Sequence, residues 1–202
     1  MGESSGTRFL VLVTGLAAAG KTTVAPMLAE RLDALWISRD RIHEMVYSGW
    51  EPTHPALFSE SYAPRVGESV YMEGSVTWSI FLWMLQRTTT RTAVVADTPF
   101  NHEWNRSMFR EAAADIEVPV VEIALQGDPD VLRERAVLRA ASVSVHEIKA
   151  KFSVNGHDYY APGYQPVLAE DQVVHVDTTN LDQLDLNALV EEVRDRLSRQ
   201  IR

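Results

Sequence analysis

Residues Arg8 to Thr23 read RFLVLVTGLAAAGKTT. Phe9 to Val13 is a short apolar, partly β-branched run leading to a glycine, the composition of a buried strand. After it, KTTVAPMLAERL carries its apolar residues at helical spacing. Between them, Gly15 to Thr22 reads GLAAAGKT and matches G-x-x-x-x-G-K-[ST] without departure. Strand, glycine-bearing loop and helix therefore follow one another in the order that a phosphate-binding loop requires.

The chemistry of a polyphosphate explains these residue types. Several donors must converge on it, and Gly15 and Gly20 let the backbone aim successive amides inward while the helix N-terminus adds a favourable partial charge. Ala17, Ala18, Ala19, Gly20, Lys21, Thr22 and Thr23 are thus expected to line a nucleotide. Lys21 would reach the β- and γ-phosphates, and the Thr22 hydroxyl would ligand Mg²⁺.

The chain has 202 residues, enough for one domain with a substantial core, or one domain with a small mobile lid. No stretch approaches the roughly 20 apolar residues of a membrane span, and MGESSGT lacks the regions of a signal peptide. With no cysteine there are no disulfides or thiolate metal sites, and a cytoplasmic location is expected. The net charge of −9 argues against a long polyanionic partner such as nucleic acid. The six histidines are scattered without metal-binding spacing. Nothing in the composition speaks to oligomeric state.

Residues 1–7 are small and polar and are expected to be disordered, leaving 8–202 as a single domain. After the first helix, Leu35 to Ile37 reads as a second strand, followed by SRDRIHEMVYSGW. Asp40 then lies at the carboxyl end of a strand, where open α/β sheets bind ligands; it is either a catalytic carboxylate or an N-cap. A proline-bearing loop, Gly49 to Phe58, leads to a long helical segment from Val66 to Arg87. Its Tyr71, Trp78, Phe81 and Trp83 cannot all share one helical face, so they divide between core and a substrate pocket.

Thr92 to Ala96 is the third strand, and Asp97 either starts the turn DTPFN or serves a metal ion. His102 to Ile116 reads as a helix and Val118 to Leu125 as the fourth strand. Asp128 to Ala141 is a helix with Pro129 in its first turn and with Arg133, Arg135 and Arg139. Arg135 and Arg139 share a face: they are either solvated, with Asp130 and Glu134 as partners, or part of a lid over residues 131–152. Lys149 and Lys151 would add charge there. The turn-rich loop Asn155 to Pro166 precedes a fifth strand, Val173 to Val176, and a closing amphipathic helix from Leu181 to Ile201. The alternation predicts an α/β fold: a doubly wound, parallel, five-stranded sheet with helices on both faces and a small helical lid.

Taken together, GLAAAGKTT, ISRDRIHEMVY, VVADTPFNHEWNR, LRERAVLRA and HVDTTN follow the order of a group of small P-loop kinases. The chain resembles the group that includes polynucleotide kinases, zeta-toxin kinases and chloramphenicol phosphotransferase, from about Phe9 to the last helix. The resemblance implies ATP and Mg²⁺ as cofactors, Asp40 as the base that accepts the proton of the attacking hydroxyl, and Asp97 as the acid at the end of the third strand. It also implies that Arg135 and Arg139 are lid arginines that bind phosphates, and that adenine packs near VDTT. His43 stands where the polynucleotide kinase pattern has an arginine, which weakens that particular reading.

The expected activity is transfer of the γ-phosphoryl group of ATP to a hydroxyl of a small molecule, such as an antibiotic, a nucleoside or a sugar, with catalysis by Asp40, Lys21, Arg135 and Arg139. The absence of an N-K-x-D guanine-reading motif favours ATP over GTP. Two other readings stay open: a polynucleotide 5′-hydroxyl kinase, and a nucleotide-dependent switch or toxin-like interaction protein.

Overall fold

The anticipated strand, loop and helix are all present in the computed structural model, which describes residues 7–50, 66–100, 103–140 and 163–201, with the side chains of 47–50, 66–75 and 140 outside the description. Strand β1 (Leu10–Gly15) is buried along its whole length, and α1 (Lys21–Arg31) begins at the lysine of the motif. There follow β2 (Leu35–Ser38), α2 (Arg39–Trp50), α3 (Val66–Thr89), β3 (Val94–Asp97) and α4 (Glu103–Ala113). The chain continues through β4 (Val120–Gln126), α5 (Pro129–Ala140), β5 (Val173–Asp177) and α6 (Leu186–Gln200).

The five strands form one parallel sheet in the order β2-β3-β1-β4-β5. Parallel neighbours cannot be joined by tight turns, so helices carry the crossovers and cover both faces. Helices α1 and α6 contact each other, while α3 packs on β2 and β3 beside α2 and α4. The chain goes to one side of β1 for β2 and β3, then crosses to the other for β4 and β5. Such a reversal opens a crevice at the carboxyl ends of the strands. Register places Asp97 beside Val13 and Ser38, and Gly15 beside Leu125.

Under α2 to α4 the core is aromatic. Trp78 meets Phe81 edge-on at 5.6 Å between ring centres and Phe100 at 5.3 Å, and Phe100 meets Phe109 at 5.2 Å. All four rings are buried, whereas Trp83 is 59% exposed. The division expected among the aromatics therefore resolves as Trp78 and Phe81 in the core and Trp83 in solvent; the side chain of Tyr71 lies outside the described residues.

Several boundaries move. Asp97 is the last residue of β3 rather than the first after it. The closing segment is not one helix: Leu181–Gln183 forms a separate 3₁₀ turn, and Asp185 caps α6 by accepting from the amides of Asn187 and Ala188, each at 3.0 Å. Of the anticipated lid, α5 supplies residues to Ala140. Residues 141–162, including Lys149 and Lys151, lie outside the described residues, as do 1–6 and 51–65.

One charge sits inside the sheet layer. Glu122, in the middle of β4, is fully buried, and four donors meet its carboxylate. Oε1 accepts from Thr14 Oγ1 at 2.8 Å and Tyr164 Oη at 2.9 Å, while Oε2 accepts from the amides of Val167 and Leu168, both at 2.8 Å. Burial, together with the Glu122 charge, pushes the Tyr164 phenol upward, so it stays protonated and donates. The carboxylate thereby ties residues 164–168 to β1 one residue before the phosphate loop.

We predict that Glu122→Leu, which strands the buried Val167 amide and the partly buried Leu168 amide, destabilises the fold by about 3 kcal/mol or more. Glu122→Gln should cost only about 1–2 kcal/mol, because the hydroxyls of Thr14 and Tyr164 can turn to accept from its amide while its oxygen faces the backbone. Urea unfolding of both variants checks the order; equal losses would contradict the four-donor account.

Candidate active site

The phosphate loop is shaped by two close approaches. Gly15 has φ 141°, and a Cβ there would stand 2.5 Å from the Leu125 carbonyl oxygen. Gly20 has φ 90°, and a Cβ there would lie 2.9 Å from Cδ2 of Leu181. Ala18, at φ 62°, also takes the left-handed conformation, at a cost of roughly 1–2 kcal/mol for a residue with a Cβ. Alternation of this kind builds the concave run of amides that receives anions. Lys21 is buried within it, and its Nζ donates to the carbonyl oxygens of Gly15 at 3.0 Å and Leu16 at 2.8 Å. Thr22, one residue into the helix, is half-buried, and Thr23 is exposed.

Beside the loop stands Asp97, completely buried at the end of β3. Trp36 Nε1 donates to its Oδ2 at 2.7 Å and Ser38 Oγ to its Oδ1 at 2.9 Å. Trp36 and Ser38 are two apart on β2, so both side chains leave the strand on one face and converge on the neighbouring β3. Burial holds the Asp97 carboxyl above the ordinary carboxylate range; the Trp36 and Ser38 hydrogen bonds pull it back, the Asp40 charge pushes it further up and the Lys21 charge lowers it. Lys21, Asp97 and Asp40 are therefore electrostatic neighbours at the mouth of β1 to β3.

Asp40 lies in the first turn of α2 with its side chain 41% exposed. The oxygen that caps this turn belongs to Ser38, which accepts from the Arg41 amide at 3.4 Å. The Asp40 carboxylate instead meets the Arg39 guanidinium at 3.2 Å. Arg39 is largely buried: it donates to Thr77 Oγ1 at 3.3 Å and lies 5.8 Å from the Trp78 ring centre. The acid is thus oriented by a cation that α3 holds in place. Arg39, Trp36, Ser38 and Glu122 were not anticipated from sequence; an acid inside the apolar run VVEIAL, and a Trp and Ser alternating on a strand, were the available signals.

On the other side of the loop, Arg135 and Arg139 part company. Arg135 donates through Nη1 to the Thr178 carbonyl at 2.7 Å and through Nη2 to the Thr179 carbonyl at 2.8 Å. Arg139, one turn further along α5, is exposed.

Among the described residues no group of three or more His, Cys, Asp or Glu could hold a metal ion. Mg²⁺ does not ask for one: it keeps several waters and takes one or two protein oxygens besides the substrate's phosphates. A buried carboxylate whose two hydrogen-bond donors, Trp36 and Ser38, are neutral, together with a half-buried threonine at the head of α1, fits that requirement.

A sequence model of the family described as "AAA domain" matches residues 10–152. No curated protein matches the chain. Among solved structures, a candidate kinase from Chloroflexus aurantiacus is 24% identical with TM-score 0.67, the alignment covering 97% of this chain and 99% of that one. The APS kinase CysC of Mycobacterium tuberculosis, in complex with AMPPNP and APS, is 15% identical with TM-score 0.60, covering 95% and 99%. Shikimate kinase from Acinetobacter baumannii, in complex with shikimate, is 16% identical with TM-score 0.51, covering 96% and 94%. At these identities the likeness is one of fold, and the fold is that of P-loop kinases.

The raised Asp97 carboxyl has a consequence for stability. A folded-state value above the unfolded one means that stability falls as pH rises from the ordinary carboxylate range through the raised value, and stays lower above it. Asp97→Asn removes the buried charge and keeps an acceptor for Trp36. We predict that its melting temperature at neutral pH equals or exceeds the parent's, and that this advantage shrinks as pH is lowered toward 4. A variant less stable than the parent at pH 7 would show that the charge itself supports the fold.

Proposed function

This chain belongs to the AAA-domain family, and from that membership and the charges gathered at its cleft we propose that it is an ATP-dependent phosphotransferase acting on a hydroxyl of a small molecule. The observation that carries the reading is the convergence of a phosphate-loop lysine, a buried acid and a half-exposed acid at one end of the sheet. The P-loop kinase fold supports it. Within that class, the order of sequence blocks favours the group of polynucleotide, zeta-toxin and chloramphenicol kinases. The net charge of −9, and His43 in place of an arginine, favour a small acceptor such as an antibiotic, nucleoside or sugar over a polynucleotide.

In the proposed reaction the acceptor oxygen attacks the γ-phosphorus in line, the bond from that phosphorus to the β-bridging oxygen breaks, and ADP leaves. Asp40 takes the hydroxyl proton, and Arg39 keeps its carboxylate aimed. Gly15 to Thr23 hold the phosphates through backbone amides, and Lys21 exchanges its two carbonyl partners for phosphate oxygens. Thr22 and Asp97 would hold Mg²⁺, which when bound neutralises phosphate charge. Arg139, exposed on α5, would meet the phosphates as a lid arginine. The contribution of the protein is placement and charge rather than covalent chemistry.

Asp40→Asn tests the reading. A positioned base contributes about 10²- to 10⁴-fold, so kcat should fall by that order while ATP-Mg²⁺ affinity stays within a few-fold. Because Ser38 supplies the capping oxygen, stability should hardly change. Unchanged transfer would reject the base role; lost nucleotide affinity would move Asp40 to the metal.

A further inference from the structure

We propose that Arg135 is a positioning residue for the nucleoside end of the donor, not a phosphate ligand: its two carbonyl bonds set the loop after β5 on which the base of ATP seats. This rests on the nucleotide-binding reading above and goes beyond it by separating the tasks of two arginines on one helical face.

The sheet order fixes the polarity of the nucleotide. Asp97 ends β3 and Asp40 follows β2, and both strands lie on one side of β1. The γ-phosphate must point toward Asp40, so the ribose and base extend across the phosphate loop toward β4 and β5. The segments waiting there are Gln126 to Asp128 and Thr178 to Leu181. Leu181 comes so near Gly20 that a Cβ on that glycine would stand 2.9 Å from it, which makes this loop continuous with the phosphate cradle.

Side chains and backbone pin the loop at every step. The Thr178 amide and Oγ1 both donate to the Gln126 carbonyl, at 2.6 and 2.7 Å. The Asp128 amide donates to Thr179 Oγ1 at 2.9 Å, and the Thr179 amide to Asp177 Oδ1 at 2.8 Å. What these bonds leave is the direction of the Thr178 and Thr179 carbonyls, and Arg135 takes both. A planar guanidinium with one terminal nitrogen on each of two successive carbonyls fixes the angle between those peptide planes, which a lysine could not do. To reach a phosphate, the same side chain would have to break two charge-assisted bonds and release the loop.

The test compares ligands that share phosphates but not a base. ATP and inorganic tripolyphosphate are titrated calorimetrically into the parent protein, Arg135→Met and Arg139→Met, each first checked by thermal melting. Arg135→Met should weaken ATP about tenfold while tripolyphosphate changes less than about twofold, and Arg135→Lys should recover part of the loss. Arg139→Met should weaken both ligands alike. Should Arg135→Met fail to fold, Arg135→Lys carries the comparison, together with the ATP-to-GTP affinity ratio. A loss from a displaced base seat moves that ratio, and a loss of phosphate contact leaves it unchanged. Equal weakening of ATP and tripolyphosphate by Arg135→Met, or no weakening of either, overturns the proposal. A parent protein that binds no ATP instead overturns the nucleotide reading, before any variant is made.

Discussion

At the end of the central strand the backbone has no room for a side chain. The Gly15 Cα faces the Leu125 carbonyl so closely that a Cβ would stand 2.5 Å away, and the φ of 141° at Gly15 is one that residues with a Cβ rarely adopt. The rest of the cleft is arranged by that approach. The loop must leave β1 at that point, α1 must start with Lys21 inside the loop, and Leu181 must close in over Gly20. Five parallel strands bring Ser38, Asp97, Gly15, Gln126 and Asp177 to one edge, and the sheet order divides that edge into two sides of the phosphate loop.

The same edge holds charges that do not serve stability. Asp97 is buried and held above the ordinary carboxylate range, partly by Asp40, with two neutral hydrogen bonds and a nearby lysine as compensation. The core makes this tolerable: the aromatic layer of Trp78, Phe81, Phe100 and Phe109 supports Arg39, which orients Asp40. Glu122 is the opposite case. It is equally buried, but all its oxygens are met by hydrogen bonds, so its charge serves to fasten residues 164–168 to β1. One buried acid is fully satisfied and the other is left with capacity for a cation.

Most of the fold was legible in the sequence because it is written in local signals. The phosphate loop is a contiguous motif, and each strand is a short apolar run between turn residues, so strand number, order along the chain and the placement of Asp40 and Asp97 at strand ends could be read directly. What could not be read depends on register across the sheet. Trp36 and Ser38 reach Asp97 only because β2 pairs with β3 with Ser38 opposite Asp97. Glu122 reaches Thr14 because β4 lies beside β1, and Arg135 reaches Thr178 and Thr179 because β5 lies beside β4. Helical spacing put Arg135 and Arg139 on one face but held no information about the loop 43 residues away that claims the first of them. The closing segment looked like one helix because Leu181 fits the apolar pattern; the break at Asp185 is a capping event that a continuous periodicity hides.

A cleft that moves a phosphoryl group is told from one that only binds a nucleotide by its product. The direct measurement is to incubate the protein with Mg²⁺ and ATP labelled at the γ-phosphate, against panels of antibiotics, nucleosides and sugars, and to follow label and product mass together, with Lys21→Ala as the control. One acceptor class should gain a single labelled phosphoryl group in step with ADP, and the folded Lys21→Ala protein should give no product. Release of the label only as inorganic phosphate across all acceptors, or equal product from the parent and Lys21→Ala, would contradict phosphoryl transfer by this cleft.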